Sequence, residues 1–167
     1  MPTLRVAAPT GDSDRAFLHR LWLDAWSGDV VVGGGREWHL DEVDSLIAWY
    51  GADPVASASY HVDGAGDTNA ELVSIATLAP ARRHGAASAL LTGVEQACAK
   101  AGAKRLTLTT TNDNLDALRF YQKRGYRIVA VHPGAVDEAR VMKPTIPEIG
   151  HAGIPIRDEL ELAKTLD

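Results

Sequence analysis

Two short segments gather groups that could do chemistry. The first is Arg82-Arg83-His84-Gly85-Ala86-Ala87-Ser88, between a strand-like run and a helical one. A helix start offers unpaired N–H groups and partial positive charge, which together suit an anion. Gly85, Ala86, Ala87 and Ser88 are small enough to let a bulky phosphate approach the backbone, and Arg82 and Arg83 add charge beside it. An ordinary helix start packed with small residues would read the same, and the segment alone does not separate the two. One glycine does not make a dinucleotide fingerprint, and the Gly-Lys-Ser/Thr of a nucleoside triphosphate loop is missing.

The second segment runs from Asn112 to Tyr126. Asn114 suits a helix cap, Ala117 and Phe120-Tyr121 fall near one face, and Gly125 suits the helix end. A tyrosine there is ordinarily a packing residue. This one follows a cap that opens directly after a parallel strand, where α/β ligand sites lie. His19, His61, His132 and His151 show no paired ligand spacing, so no metal site is expected. Cys98 falls on an apolar helix face with Leu91 and Val94 and reads as buried and inert. Of four tryptophans, Trp22 reads as core and Trp38, in a polar stretch, as near a substrate.

The elements that must carry these groups change character midway. Residues 4–7 read as a strand, stopped by Pro9 and Gly11, and Asp12 or Ser13 can cap the helix that follows. In that helix Phe17, Leu18, Leu21, Trp22 and Ala25 make one apolar stripe, ended by Ser27-Gly28. Residues 28–41 are irregular: a small edge strand at 30–32, then Gly33-Gly34-Gly35 and a polar stretch suited to meeting a substrate or simply to solvent. Strands at 45–50, 55–62 and 69–78 form an antiparallel meander through turns at 51–54 and 63–67. Helix 85–101, strand 105–110, helix 114–124, strand 126–132 and strand 139–143 follow. The long crossover makes strands 69–78 and 105–110 parallel. A tail from 144 contains Pro144, Pro147, Gly150, Gly153 and Pro155, then a short helix at 157–166, and is expected to cover a core edge.

At 167 residues, 46% hydrophobic and 23% charged, the chain is long enough for one real core and too apolar for disorder. No apolar run is long enough for a membrane span, and no export signal is recognisable. A single cysteine fits a reducing, cytoplasmic setting. The formal charge of −5 and the lack of an aromatic-basic pattern argue against nucleic-acid binding.

Together the two segments resemble the GCN5-related N-acetyltransferase (GNAT) superfamily. Its cofactor signature, Gln or Arg, two residues, Gly, one residue, then Gly or Ala, is met by residues 82–87, with Ala87 at the relaxed last position. Its later signature is met by Asn114, Ala117, Phe120-Tyr121 and Gly125-Tyr126. The resemblance covers about residues 3–143, and residues 153–160 also resemble a bacterial subgroup of uncharacterised members. It implies an α/β fold of mixed α+β character: a central, mostly antiparallel twisted sheet with one splayed parallel pair, flanked by helices. The domain would span 1–143, with 144–167 packed on it.

The resemblance further implies transfer of the acetyl group of acetyl-CoA to a primary amine by direct attack. The amine could belong to a small molecule or a protein, and an acyl-CoA sensor without turnover is the alternative. Backbone amides of Arg83, His84, Gly85, Ala86, Ala87 and Ser88, after Arg82, would hold the pyrophosphate. Residues 72–78 would wall the pantetheine groove, with Ile75, Ala76 and Thr77 nearest the acetyl group and one amide there polarising its carbonyl. Asn114 and Ala117 belong to the same cofactor site. Tyr121 matches the family's general acid, and Glu71, eleven positions before Arg82, stands where histone-acetylating members carry a glutamate base. Homodimers are common in the family, which leaves that assembly open here.

Overall fold

The computed structural model describes residues 2–64 and 68–167. Its elements in chain order are β1 (Leu4–Ala7), α1 (Asp12–Trp26), β2 (Val30–Gly33), β3 (Arg36–His39), β4 (Asp44–Tyr50), β5 (Asp53–Val62) and β6 (Asn69–Thr77). They continue with α2 (Ala86–Lys100), β7 (Arg105–Thr111), α3 (Leu115–Gln122), β8 (Arg127–His132), α4 (Ala135–Met142) and β9 (Glu159–Thr165). Seven strands form one sheet in the order β1-β4-β5-β6-β7-β9-β8, and β2 with β3 forms a separate hairpin. Among the described strands only β6 and β7 pair parallel.

Alternation along the strands divides the core between two faces of the sheet. On one face Leu90, Leu91, Val94 and Cys98 of α2, at helical spacing, meet Ala48, Ala58, Leu72, Leu106 and Leu162, all almost fully buried. On the other, Phe17, Leu18 and Leu21 of α1 pack on Ile47 and Trp49, the neighbours of Ala48 along β4. Trp22 and Trp38 close a third cluster under the β2–β3 hairpin. Cys98 is buried as expected, and burial pushes its thiol up to about 12.

The parallel pair is zipped only at one end. β6 pairs with β7 from Asn69↔Arg105 to Leu72↔Leu108, and no further. Beyond that point each strand is held from its outer side: β6 by β5 as far as Thr77, β7 by β9 as far as Thr111. A bulge assists, since Ser59 faces Ser74 while Tyr60 faces Leu72, leaving Val73 unmatched where the seam opens. An extra residue bends its strand at such a place. The seam between 73–77 and 109–111 is therefore held open from outside.

Several local expectations are corrected. The first helix is capped by Gly11, not by the side chains of Asp12 or Ser13; Asp14 instead accepts from the Thr10 amide at 2.8 Å. Residues 30–39 are an ordered hairpin, with Gly33 paired to Arg36 and Gly34-Gly35 forming the turn, followed by one helical turn at Leu40–Glu42. Residues 139–143 are not a strand but the end of α4, whose buried Val136 and Ala139 fall one helical turn apart. The segment expected as a helix at 157–166 is strand β9, inserted between β7 and β8. Asn112 explains the turn inward: its side chain accepts from the amides of Arg157 and Asp158 and donates to the Pro155 carbonyl. The expected turn at 63–67 lies partly outside the described residues.

Candidate active site

The loop from Leu78 to Gly85 delivers α2 to the open seam. Arg83 holds φ at +66°, a left-handed conformation unusual for a residue with a Cβ, and Gly85 at the N-cap holds +89°. No side chain caps α2, so the amides of its first turn keep their free donors. They face a cavity of about 920 Å3, walled by Ile75, Ala76, Thr77, Arg82, Arg83, Gly85, Ala86, Ala87, Ser88 and Asn114. A Cβ placed on Gly85 would meet nothing within 4 Å among the described residues, so room for a ligand is left at the cap itself.

Three expected residues lie off that wall. His84 turns aside, its Nδ1 2.7 Å from the Arg82 carbonyl, while its own carbonyl accepts from the Tyr50 hydroxyl. Ala117 serves locally by donating its amide to Asn114 Oδ1 at 3.1 Å, the cap of α3. Tyr121 packs its ring edge-on to Phe120, which is on that wall, and to Tyr126, at centroid distances of 5.1 and 5.6 Å. It is 6% exposed, and burial raises its phenol well above the ordinary tyrosine range. Phe120, its neighbour, does line the cavity.

A smaller cavity of about 130 Å3 lies at the seam itself, with Val73 on one strand and Thr109 to Thr111 on the other. Its wall includes Glu71, Val73, the threonines Thr109, Thr110 and Thr111, Trp38, Gly33 and Glu159. Trp26 and Asn114 line both cavities and so form a wall common to the two. Glu71 is half-buried, and desolvation lifts its carboxyl to about 7 against the opposing pull of Arg36. Glu159 is 5% exposed and also raised, chiefly by burial, although the Gly34 amide donates to it at 3.2 Å. Trp38, expected near a substrate from a loop, reaches this cavity from strand β3.

Sequence reasoning missed three contributors. Glu159 was hidden by reading 157–166 as helix, although Glu159-Leu160-Glu161-Leu162 alternates at the strand period. Arg124 lines the larger cavity, where it lies over the Phe120 ring at 3.7 Å and donates to Ser88 Oγ. Trp26 had no signal beyond its place at the end of α1. Among the described residues no group of three or more His, Cys, Asp or Glu could hold a metal ion.

The sequence matches the acetyltransferase (GNAT) family over residues 8–126. The chain belongs to the GNAT acetyltransferase family. Among its relatives, the uncharacterized protein YxbD of Bacillus subtilis (strain 168) is 47% identical over 166 residues, covering 99% of this chain and 98% of YxbD. The uncharacterized protein YdhI of the same organism is 33% identical over 165 residues, covering 98% of this chain and all of YdhI. A Bacillus subtilis acetyltransferase solved in complex with CoA superposes with a TM-score of 0.74 at 20% identity, covering 99% of this chain and 100% of its own.

Proposed function

We propose that this GNAT protein transfers the acetyl group of acetyl-CoA to a primary amine by direct attack. The observation that carries the reading is the pair of cavities that share Trp26 and Asn114 as a common wall beside the open seam. The larger has phosphate donors at its rim, and the smaller has a carboxyl beside the gap. A cofactor bound at α2 would lay its pantetheine along residues 73–77, pairing with the backbone that β7 leaves unpaired. Its diphosphate would take the amides of Gly85, Ala86, Ala87 and Ser88, with Arg82, Arg83 and Arg124 supplying charge. The superposed Bacillus subtilis acetyltransferase was solved in complex with CoA, which supports a coenzyme A thioester as the cosubstrate.

The amine must be neutral to attack. Glu71, with its carboxyl near 7, takes the proton from the attacking nitrogen, directly or through water. The nitrogen's lone pair forms the bond to the acetyl carbon, the carbon–sulfur bond breaks, and the pair leaves on sulfur. An amide of residues 75–77 polarises the thioester carbonyl. Tyr121 gives its proton to the thiolate. Its raised phenol makes that donation uphill against a thiol of about 8.5, so position must do what driving force does not. The acceptor is an amine of a small molecule or a protein.

The test is release of free thiol from acetyl-CoA across a panel of primary amines, with the acetylated product identified by mass. Thiol release that needs an amine supports the reading. Tight acetyl-CoA binding with no release for any amine would replace it with a sensor.

A further inference from the structure

The loop that opens α2 holds Arg83 at a left-handed φ of +66°, a conformation that a side chain with a Cβ disfavours. Two contacts hold the turn around it. His84 folds back, its Nδ1 2.7 Å from the Arg82 carbonyl. The other tie comes from outside the loop: the Tyr50 hydroxyl donates to the His84 carbonyl. Tyr50 ends β4, where it pairs with Leu4 of β1 on one side and Asp53 of β5 on the other. The donor therefore reaches the loop from a strand that the sheet holds on both edges.

The direction of that bond decides what the large cavity meets. A trans peptide is planar, so the His84 carbonyl and the Gly85 N–H point opposite ways. Gly85 lines the cavity, whereas neither His84 nor Tyr50 is on its wall. With the carbonyl turned out to Tyr50, the Gly85 N–H is turned inward, and it donates to no protein acceptor among the described residues. The opposite orientation of the same peptide is open to glycine, which accepts either sign of φ. It would set a carbonyl oxygen against a phosphate.

Resting on the diphosphate placement above, we infer that Tyr50 is a positioning residue for the cofactor. Its hydroxyl holds the His84–Gly85 peptide so that an amide, and not a carbonyl, meets the diphosphate. Tyr50 stands 34 positions before His84, outside the segment 82–88 that carries the signature, and it acts through that peptide. Binding is strengthened because the donor is already oriented before the ligand arrives.

Binding of CoA and of S-acetylpantetheine, followed by calorimetry, separates this role from a merely structural one. S-acetylpantetheine carries the thioester arm and no diphosphate. Tyr50→Phe keeps the ring and removes only the hydroxyl. It is expected to weaken CoA about three- to tenfold, the scale of one hydrogen bond. Its affinity for S-acetylpantetheine should stay within about twofold of the parent's. Unchanged CoA affinity in the variant, or an equal loss for both ligands, would overturn the assignment and leave the cofactor site where it is. A parent that binds the two ligands equally would defeat the diphosphate placement itself, and the role of Tyr50 with it.

Discussion

The Gly34 amide donates to the Glu159 carboxylate at 3.2 Å across 125 positions of sequence. That bond joins the hairpin after α1 to the last strand of the sheet, beside the small cavity that Gly33 and Glu159 help to line. Lys143 makes a second tie from the end of α4, donating to the carbonyls of Trp26 and Val30. The surroundings of the small cavity are thus assembled from the two ends of the chain.

If β9 is structural, weakening it should be felt by the whole protein. Leu162 is fully buried between α2 and the sheet. Leu162→Ala should cost about 2–5 kcal/mol of stability in denaturant unfolding. A loss under about 0.5 kcal/mol would mean a strand that is dispensable to the core.

Gly85 packs against nothing that a Cβ would reach, and the proposed reading gives that space to a phosphate. Acetyl-CoA at a hundredfold its dissociation constant should raise Tm of the parent by about 5–10 °C. Gly85→Val should fold, with some loss from its left-handed φ, and should show no such rise. A variant that is stabilised as much as the parent would move the diphosphate elsewhere.

Tyr121→Phe separates leaving-group protonation from binding. The phenol is buried against Phe120 and Tyr126, so the fold should persist and coenzyme affinity should stay within about twofold. Turnover should drop about a hundredfold, the lower range for a lost acid. Equal turnover would assign the proton to another group.

Glu71 gives a pH signature on two readouts. Its carboxyl, raised to about 7 by burial, must ionise to act as a base, so kcat/KM should rise with pH and level off above about 7. Glu71→Gln should remove that limb. The folded carboxyl binds its proton more tightly than the unfolded one, so Glu71 favours the fold while protonated and that contribution fades as pH climbs from about 4.5 to 7. The variant should therefore gain Tm relative to the parent at about pH 8 and not at about pH 4. An unchanged pH profile would exclude Glu71 as the base.

How much of this was readable beforehand follows from the range of the forces involved. Short-range rules placed β1, α1, the β4–β5–β6 meander, α2, β7, α3 and β8 within a few residues, because period and turn chemistry act locally. The cap of α3 at Asn114 and the α2 start at Gly85 were legible for the same reason. The C-terminal elements were not. Val136 and Ala139 carry too little apolar pattern to announce a helix, and β9 depends on Asn112, 45 positions before Arg157, to steer it into the sheet. Misreading β9 hid Glu159, and with it the second acid of the pocket. A hairpin at 30–39 was equally out of reach, since its anchors, Glu159 and Lys143, are more than a hundred residues away.

The most direct measurement is a crystal structure of the protein with acetyl-CoA. The account predicts diphosphate oxygens about 3 Å from the amides of residues 85–88 and a thioester lying between 73–77 and 109–111, its carbonyl on an amide of 75–77. A diphosphate bound away from the start of α2, or a ladder of hydrogen bonds joining β6 to β7 along that seam, would contradict it.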